Sequence, residues 1–230
     1  NYDVRIDMTP PIVEYPGIPE GTQTRTLIIR GTASEEITLK YRLNQTLEYT
    51  TLKTANKNFT ASIDLNDGTN NLELIAEDNA GNQDKQEFQI AYDIAKPSFK
   101  NTNLDNLEPC YFDFPGSLYK EVDITGTASE KATILVYVNH ESNPSKVRVT
   151  DENGHFRIKN IRLTREFKTN ITGTTATGEL AEKYDNHLRI VAKDLAGNTE
   201  EITKTLTCQT CGGGAAGYSL TLEEVSPSLL

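Results

Sequence analysis

Along most of this chain apolar residues alternate with polar ones at a period of two, the spacing that turns one face of a strand to a core and the other to water. In the first half the apolar set is Leu27/Ile29, Ile37/Leu39/Tyr41/Leu43, Phe59/Ala61/Ile63/Leu65, Leu72/Leu74/Ala76 and Phe88/Ile90/Tyr92. In the second half it is Val122/Ile124, Ile134/Val136/Val138, Val147/Val149, Phe156/Ile158, Leu188/Ile190/Ala192 and Ile202/Leu206. Gly, Asn and Asp punctuate these runs about every 8 to 12 residues, so the pattern predicts an all-β chain with about seven short strands in each half and no long helix.

The halves are copies. Asp7-Met8-Thr9-Pro10-Pro11 returns as Asp93-Ile94-Ala95-Lys96-Pro97, Gly31-Thr32-Ala33-Ser34-Glu35 returns unchanged as Gly126-Thr127-Ala128-Ser129-Glu130, and Asp78-Asn79-Ala80-Gly81-Asn82 returns as Asp194-Leu195-Ala196-Gly197-Asn198. Three ordered matches define a tandem repeat. Spacing locates its expansions: Pro11 to Gly31 is 20 residues against 29 for Pro97 to Gly126, and Gly31 to Asp78 is 47 against 68 for Gly126 to Asp194. The first excess falls near residues 101–109. The second falls mainly in the Thr- and Gly-rich stretch 164–184, which reads as a long surface loop.

Each motif has a physical use. Asp78 to Asn82 lies between two alternating runs and predicts a turn, with Gly81 taking a positive φ and the Asp and Asn side chains bonding the turn's own backbone. The small residues of Gly31 to Ser34 let the chain cross from one sheet to the other, with Ser34 or Glu35 satisfying freed amides. Seven strands in about 90 to 115 residues fit an immunoglobulin-like sandwich.

In this order the motifs resemble the bacterial immunoglobulin-like repeats of prokaryotic surface proteins, over residues 7–207. The resemblance implies two tandem immunoglobulin-like β-sandwich domains, at 7–93 and 94–207, in a non-catalytic structural or adhesive module of the cell surface. Residues 1–6 match the end of a last strand and read as the tail of a preceding unit or a donor strand. Residues 208–230 read as a Gly-rich linker and a strand near Tyr218 available to a neighbour. The chain opens at Asn1 rather than Met, which points to a processed or excised segment with any leader or anchor outside it.

Charge narrows the partners. The net charge of -10 argues against binding nucleic acid, whose affinity comes from a basic face, and the acids concentrate in the first copy: residues 1–93 hold 15 acids and 8 bases, net -7. No run reaches the roughly 20 apolar residues that span a membrane. Partners are therefore copies of itself, neighbouring immunoglobulin-like domains, or a surface protein or glycan.

Candidate chemistry is sparse. The topology of such a sandwich brings Asp7, Glu35 and Asp78 together at the first domain's entrance, and Asp93, Glu130 and Asp194 at the second's; these oxygens suit calcium, or else accept from turn amides. Cys110 sits near the second domain's first strand and Cys208 and Cys211 near its end, so Cys110 pairs with Cys208 or Cys211, while Cys208-Gln209-Thr210-Cys211 alternatively suits a redox pair or half a zinc site. Asn44, Asn58 and Asn170 open glycosylation sequons, a pattern that chance also produces in an Asn- and Thr-rich chain. His140, His155 and His187 are scattered, and no catalytic motif accompanies them. A competing reading is a carbohydrate- or protein-binding module, or a spacer attached to an enzyme, with 164–184 as the reader and Phe167 and Tyr184 as its stacking aromatics.

Overall fold

The computed structural model describes residues 7–107, 110–112, 119–164, 167–172, 175–180, 183–210 and 217–221. They form two compact units, one holding the residues through Lys96 with Leu195–Asn198, the other Pro97–Asp194 and the residues from Thr199 on. Both are all-β immunoglobulin-like sandwiches. Among the described residues no helix is long and apolar enough to cross a membrane.

The first unit contains β1 (Val13–Glu14), β2 (Gly21–Thr22), β3 (Thr26–Leu43), β4 (Thr50–Asp64), β5 (Gly68–Glu77) and β6 (Gln83–Tyr92). β3 is long because it serves both sheets. Its first part pairs with β1 and the end of β4, the register shifts between Thr32 and Glu36, and its second part pairs with the start of β4 and with β5. Small residues at the crossing make that turn cheap, and Ser34 secures it: its amide donates to the Ile12 carbonyl at 3.0 Å while its Oγ accepts from the Ile12 amide at 3.0 Å. The leading segment is likewise split, β1 running antiparallel to β3 and β2 parallel to β6. Alternation then places Leu27, Ile29, Ile37, Leu39, Phe59, Ile63, Leu65, Leu72, Leu74 and Ile90 in one core.

The second unit repeats the plan with β7 (Phe99–Lys100), β8 (Cys110–Phe112), β9 (Tyr119–Ala128), β10 (Thr133–Val138), β11 (Lys146–Val149), β12 (His155–Thr164), β15 (Lys183–Lys193) and β16 (Thr199–Thr210). β7 pairs antiparallel with β9 and β8 parallel with β16, and Ser129 repeats the clamp, donating to Ser98 O at 2.8 Å and accepting from Ser98 N at 2.9 Å. The expansion near 101–109 folds as a 3-10 turn at Leu104–Asn106 whose Leu104 is buried in the core.

Three expectations need correction. Residues 164–184 are not a loop: β13 (Phe167–Thr172) and β14 (Thr175–Leu180) form an antiparallel hairpin. The strand near Tyr218 is not a separate segment, because β17 (Gly217–Thr221) pairs antiparallel with β14 in the same chain, as the edge strand of a three-stranded sheet. Backbone pairing is the cause in both cases, local within the hairpin and between segments about forty residues apart for β14 and β17, and it supplies partners to stretches with little apolar alternation of their own. Val147 and Val149 are not core residues but 57% and 55% exposed, since the short β11 is an edge strand whose four residues all face solvent.

Candidate functional site

The turn after β5 is built around Asp78. Its Oδ1 accepts from the Ala80 and Asn82 amides, each at 2.8 Å, its Oδ2 accepts from Asn82 Nδ2 at 2.8 Å, and Gly81 takes a φ of 92°. The Asn82 side chain, with the turn amides adding to it against the opposing pull of burial, holds the buried Asp78 carboxyl below the usual range. Asp7 caps its own segment, accepting from the Thr9 amide at 3.0 Å, and Asp93 does the same with Ala95 at 2.8 Å. Asp7, Glu35 and Asp78 offer oxygens that lie within 4.8 Å of one another. An ionised carboxylate has about four acceptor directions, so these groups keep some after capping their turns. Of the second set, Asp93 belongs to the first unit and Glu130 and Asp194 to the second. Within the second, Glu130 and Asp194 bring carboxylate oxygens within 4.8 Å of each other.

The cysteines fall as follows. Cys208 is disulfide-bonded and fully buried on β16, and Cys110 is its register partner on the parallel β8. Cys211 and residues 1–6 lie outside the described residues, as do the side chains of Cys110, Phe167 and Asn170. Asn58 is exposed on β4. Asn44 is exposed too, but its carboxamide is engaged: Oδ1 accepts from the Asn71 amide at 2.8 Å and Nδ2 donates to Asn70 Oδ1 at 3.4 Å.

The structure also exposes groups that the sequence reading passed over. Asn70 and Asn186 are both completely buried. Asn70 Nδ2 donates to the carbonyls of Asn66 at 2.7 Å and Gly68 at 2.9 Å, while its Oδ1 accepts from the Asn66 amide at 2.8 Å. Asn186 does the same work in the other copy, donating to Thr164 O at 2.9 Å and accepting from Thr164 N at 2.8 Å and from Asn139 Nδ2 at 3.1 Å. A signal was available, because both occupy the inward phase of a strand, two residues before Leu72 and Leu188.

On the outer face of the first unit Glu73 gathers Arg42 at 2.5 Å, Lys85 at 3.0 Å and the Tyr49 hydroxyl. Burial works to raise its carboxyl, but the hydrogen bonds from Tyr49, Arg42 and Lys85 outweigh it and hold it at about 2. The stabilisation is therefore present above the ordinary glutamate value near 4.5 and is lost as pH falls toward about 2. Acid titration of the melting temperature is expected to show Glu73→Gln less stable than the parent at neutral pH, with the gap closing as the pH approaches 2; a gap independent of pH would refute the charge-based account.

Residues 21–94, about a third of the chain, match the family described as Bacterial Ig-like domain. Among solved structures the fibronectin(III)-like modules of Clostridium thermocellum CbhA align at 14% identity over 86% of this chain and 94% of theirs, with a TM-score of 0.49. A tetra-tandem repeat in the extending region of a large adhesion protein aligns at 13% identity and TM-score 0.33, covering 86% of this chain and 49% of that one. A Bacteroides ovatus protein, SGBP-B of a mixed-linkage glucan utilization locus, crystallised with a mixed-linkage heptasaccharide, aligns at 17% identity and TM-score 0.30, over 87% of this chain and 48% of its own. The chain thus spans about half the length of the latter two. No curated protein sequence matches it.

Proposed function

We propose, from the match of residues 21–94 to the Bacterial Ig-like domain family, that this chain is a non-catalytic structural module of an extracellular surface protein, one segment of a stalk whose partners are neighbouring domains of the same kind. The repeated frame carries this reading. Each unit ties its leading segment to both sheets, clamps the sheet crossing with one serine, and commits a buried asparagine to its own backbone. These devices stiffen a domain and leave little polar chemistry for turnover. The pairing of β17 with β14 favours a stalk over donation of that strand to another subunit.

Light scattering after size exclusion tests it. The intact chain and a variant lacking residues 1–6 are both expected to run as monomers, the intact one at 25.5 kDa. A high-mass species that collapses on truncation would instead make the chain a filament protomer joined by strand addition.

Two features belong to the same reading. A disulfide joins Cys208 to Cys110: register neighbours in a ladder lie about 4.8 Å apart, inside the 4.4–6.8 Å that a disulfide needs between Cα atoms, and such bonds persist outside the cell. The acid set of Asp7, Glu35 and Asp78 takes calcium, favoured by three carboxylates within 4.8 Å whose mutual repulsion a hard cation relieves. Added calcium is expected to raise the melting temperature, by the equivalent of about 2.7 kcal/mol at a hundredfold excess over Kd. An unchanged melting curve would leave these acids as turn caps only.

A further inference from the structure

We infer that His140 and His187 form a surface site for a late first-row divalent metal ion such as Zn²⁺, Ni²⁺ or Cu²⁺. The two residues are 47 positions apart, yet their rings lie 5.5 Å apart between centroids at a 40° tilt. Imidazole nitrogens bind zinc at about 2.0–2.1 Å, which keeps the centroids of two rings on one ion within about 6 Å, so this pair is already at bridging separation.

The pair is held rather than loosely adjacent. Asn139, next to His140, donates its amide to the His187 carbonyl at 2.8 Å and accepts the His187 amide on its Oδ1 at 2.9 Å. The Asn139 carboxamide also donates to Oδ1 of the fully buried Asn186 at 3.1 Å, which fastens the turn to the core. Little side-chain-bearing backbone has to move on binding.

A second interaction prepares the ligand atom. His187 Nδ1 lies 3.0 Å from Thr205 Oγ1, which leaves Nε2 as the nitrogen for a metal; fixing one ring nitrogen so that the other is presented is how metal-bound histidines are commonly oriented. Both rings are exposed at a concave site of about 570 Å³ that Tyr184, Asp185 and Thr207 also line. Water completes the coordination. Imidazole selects these ions over the hard cations that suit the acid sets, so the two kinds of site are chemically separate.

The test is a calorimetric titration of the full chain with Zn²⁺ in excess Ca²⁺, alongside ¹H–¹⁵N spectra of the imidazoles. One Zn²⁺ per chain is expected, shifting the His140 and His187 signals and sparing His155. His140→Asn, which tolerates the left-handed φ of 33° at that position, and His187→Asn should each weaken binding at least about tenfold. Thr205→Val, which removes no metal ligand, should weaken it by about 10- to 100-fold. Melting curves identify any variant that has lost its fold. No Zn²⁺ binding by the parent, or binding unchanged in both folded histidine variants, overturns the assignment.

Discussion

Asn70→Leu is expected to destabilise the first unit by about 3–5 kcal/mol in urea unfolding, although leucine fits the apolar phase of β5 better than asparagine does. The asparagine is fully buried and serves three backbone groups at 2.7–2.9 Å, the Asn66 amide and the carbonyls of Asn66 and Gly68. Removing one partner of a buried hydrogen bond leaves the other desolvated, at about 1–3 kcal/mol for each group, which outweighs the gain from burying a leucine. Asn70→Asp separates the two functions of the carboxamide: it keeps the acceptor for the Asn66 amide and loses both donors. Asn186→Leu should have a comparable effect on the second unit. A loss below about 1 kcal/mol for Asn70→Leu would mean that the turn at residues 66–70 finds water in place of the side chain.

Gly31→Ala is expected to cost about 3 kcal/mol, a large effect for one methyl group. Gly31 pairs directly with Phe59 across β3 and β4, and a Cβ at Gly31 would stand 2.2 Å from Phe59 Cζ and 2.8 Å from the Glu14 carbonyl oxygen. The ring is held in turn by an edge contact with Tyr15 at 5.8 Å, and the carbonyl belongs to the paired strand β1, so neither can retreat freely. A double-mutant cycle with Phe59→Leu tests the mechanism. Shrinking the ring removes the closer clash, so the double variant should be clearly more stable than the sum of the two single losses predicts. Additive losses would refute a steric origin. The same arrangement recurs at Gly126 and Phe156, where the added Cβ would meet the ring at 2.6 Å, so Gly126→Ala with Phe156→Leu offers an independent repeat.

Much of this was legible in the chain itself. Local chemistry is decided by neighbours a few residues away, and there sequence reading succeeds: Asp78 and Asn82 make the turn through bonds that span at most four residues, and period-two alternation put Ile29, Leu39, Leu74, Ile134 and Ile190 in the cores. The serine at the sheet crossing was foreseen from its motif, and the partner it clamps, Ile12, was not. The topology of a sandwich brings the ends of certain strands together, and the oxygens of Asp7, Glu35 and Asp78 lie within 4.8 Å of one another.

What the tertiary structure alone decided is whatever depends on partners distant in sequence. Residues 167–180 lack the apolar alternation of a core strand, and they become a hairpin sheet through pairing with Gly217–Thr221, some forty residues on. β11 shows alternating valines and still faces water throughout, because it lies at the edge of its sheet. Gly31, read only as one of the small residues of the sheet crossing, proves to be the space that Phe59 fills, and Asn70, unremarked in the sequence, proves to be a buried anchor. His140 and His187 had no visible relation until the turn after β10 and the strand β15 set their rings side by side. The sequence determined by itself which segments are core strands with alternating apolar residues, which turns cap themselves and that the plan is repeated, since propensity and spacing act over a few residues. Register, edges and side-chain encounters came only with the fold, because the free energy of those contacts exists only once the remote segment is in place.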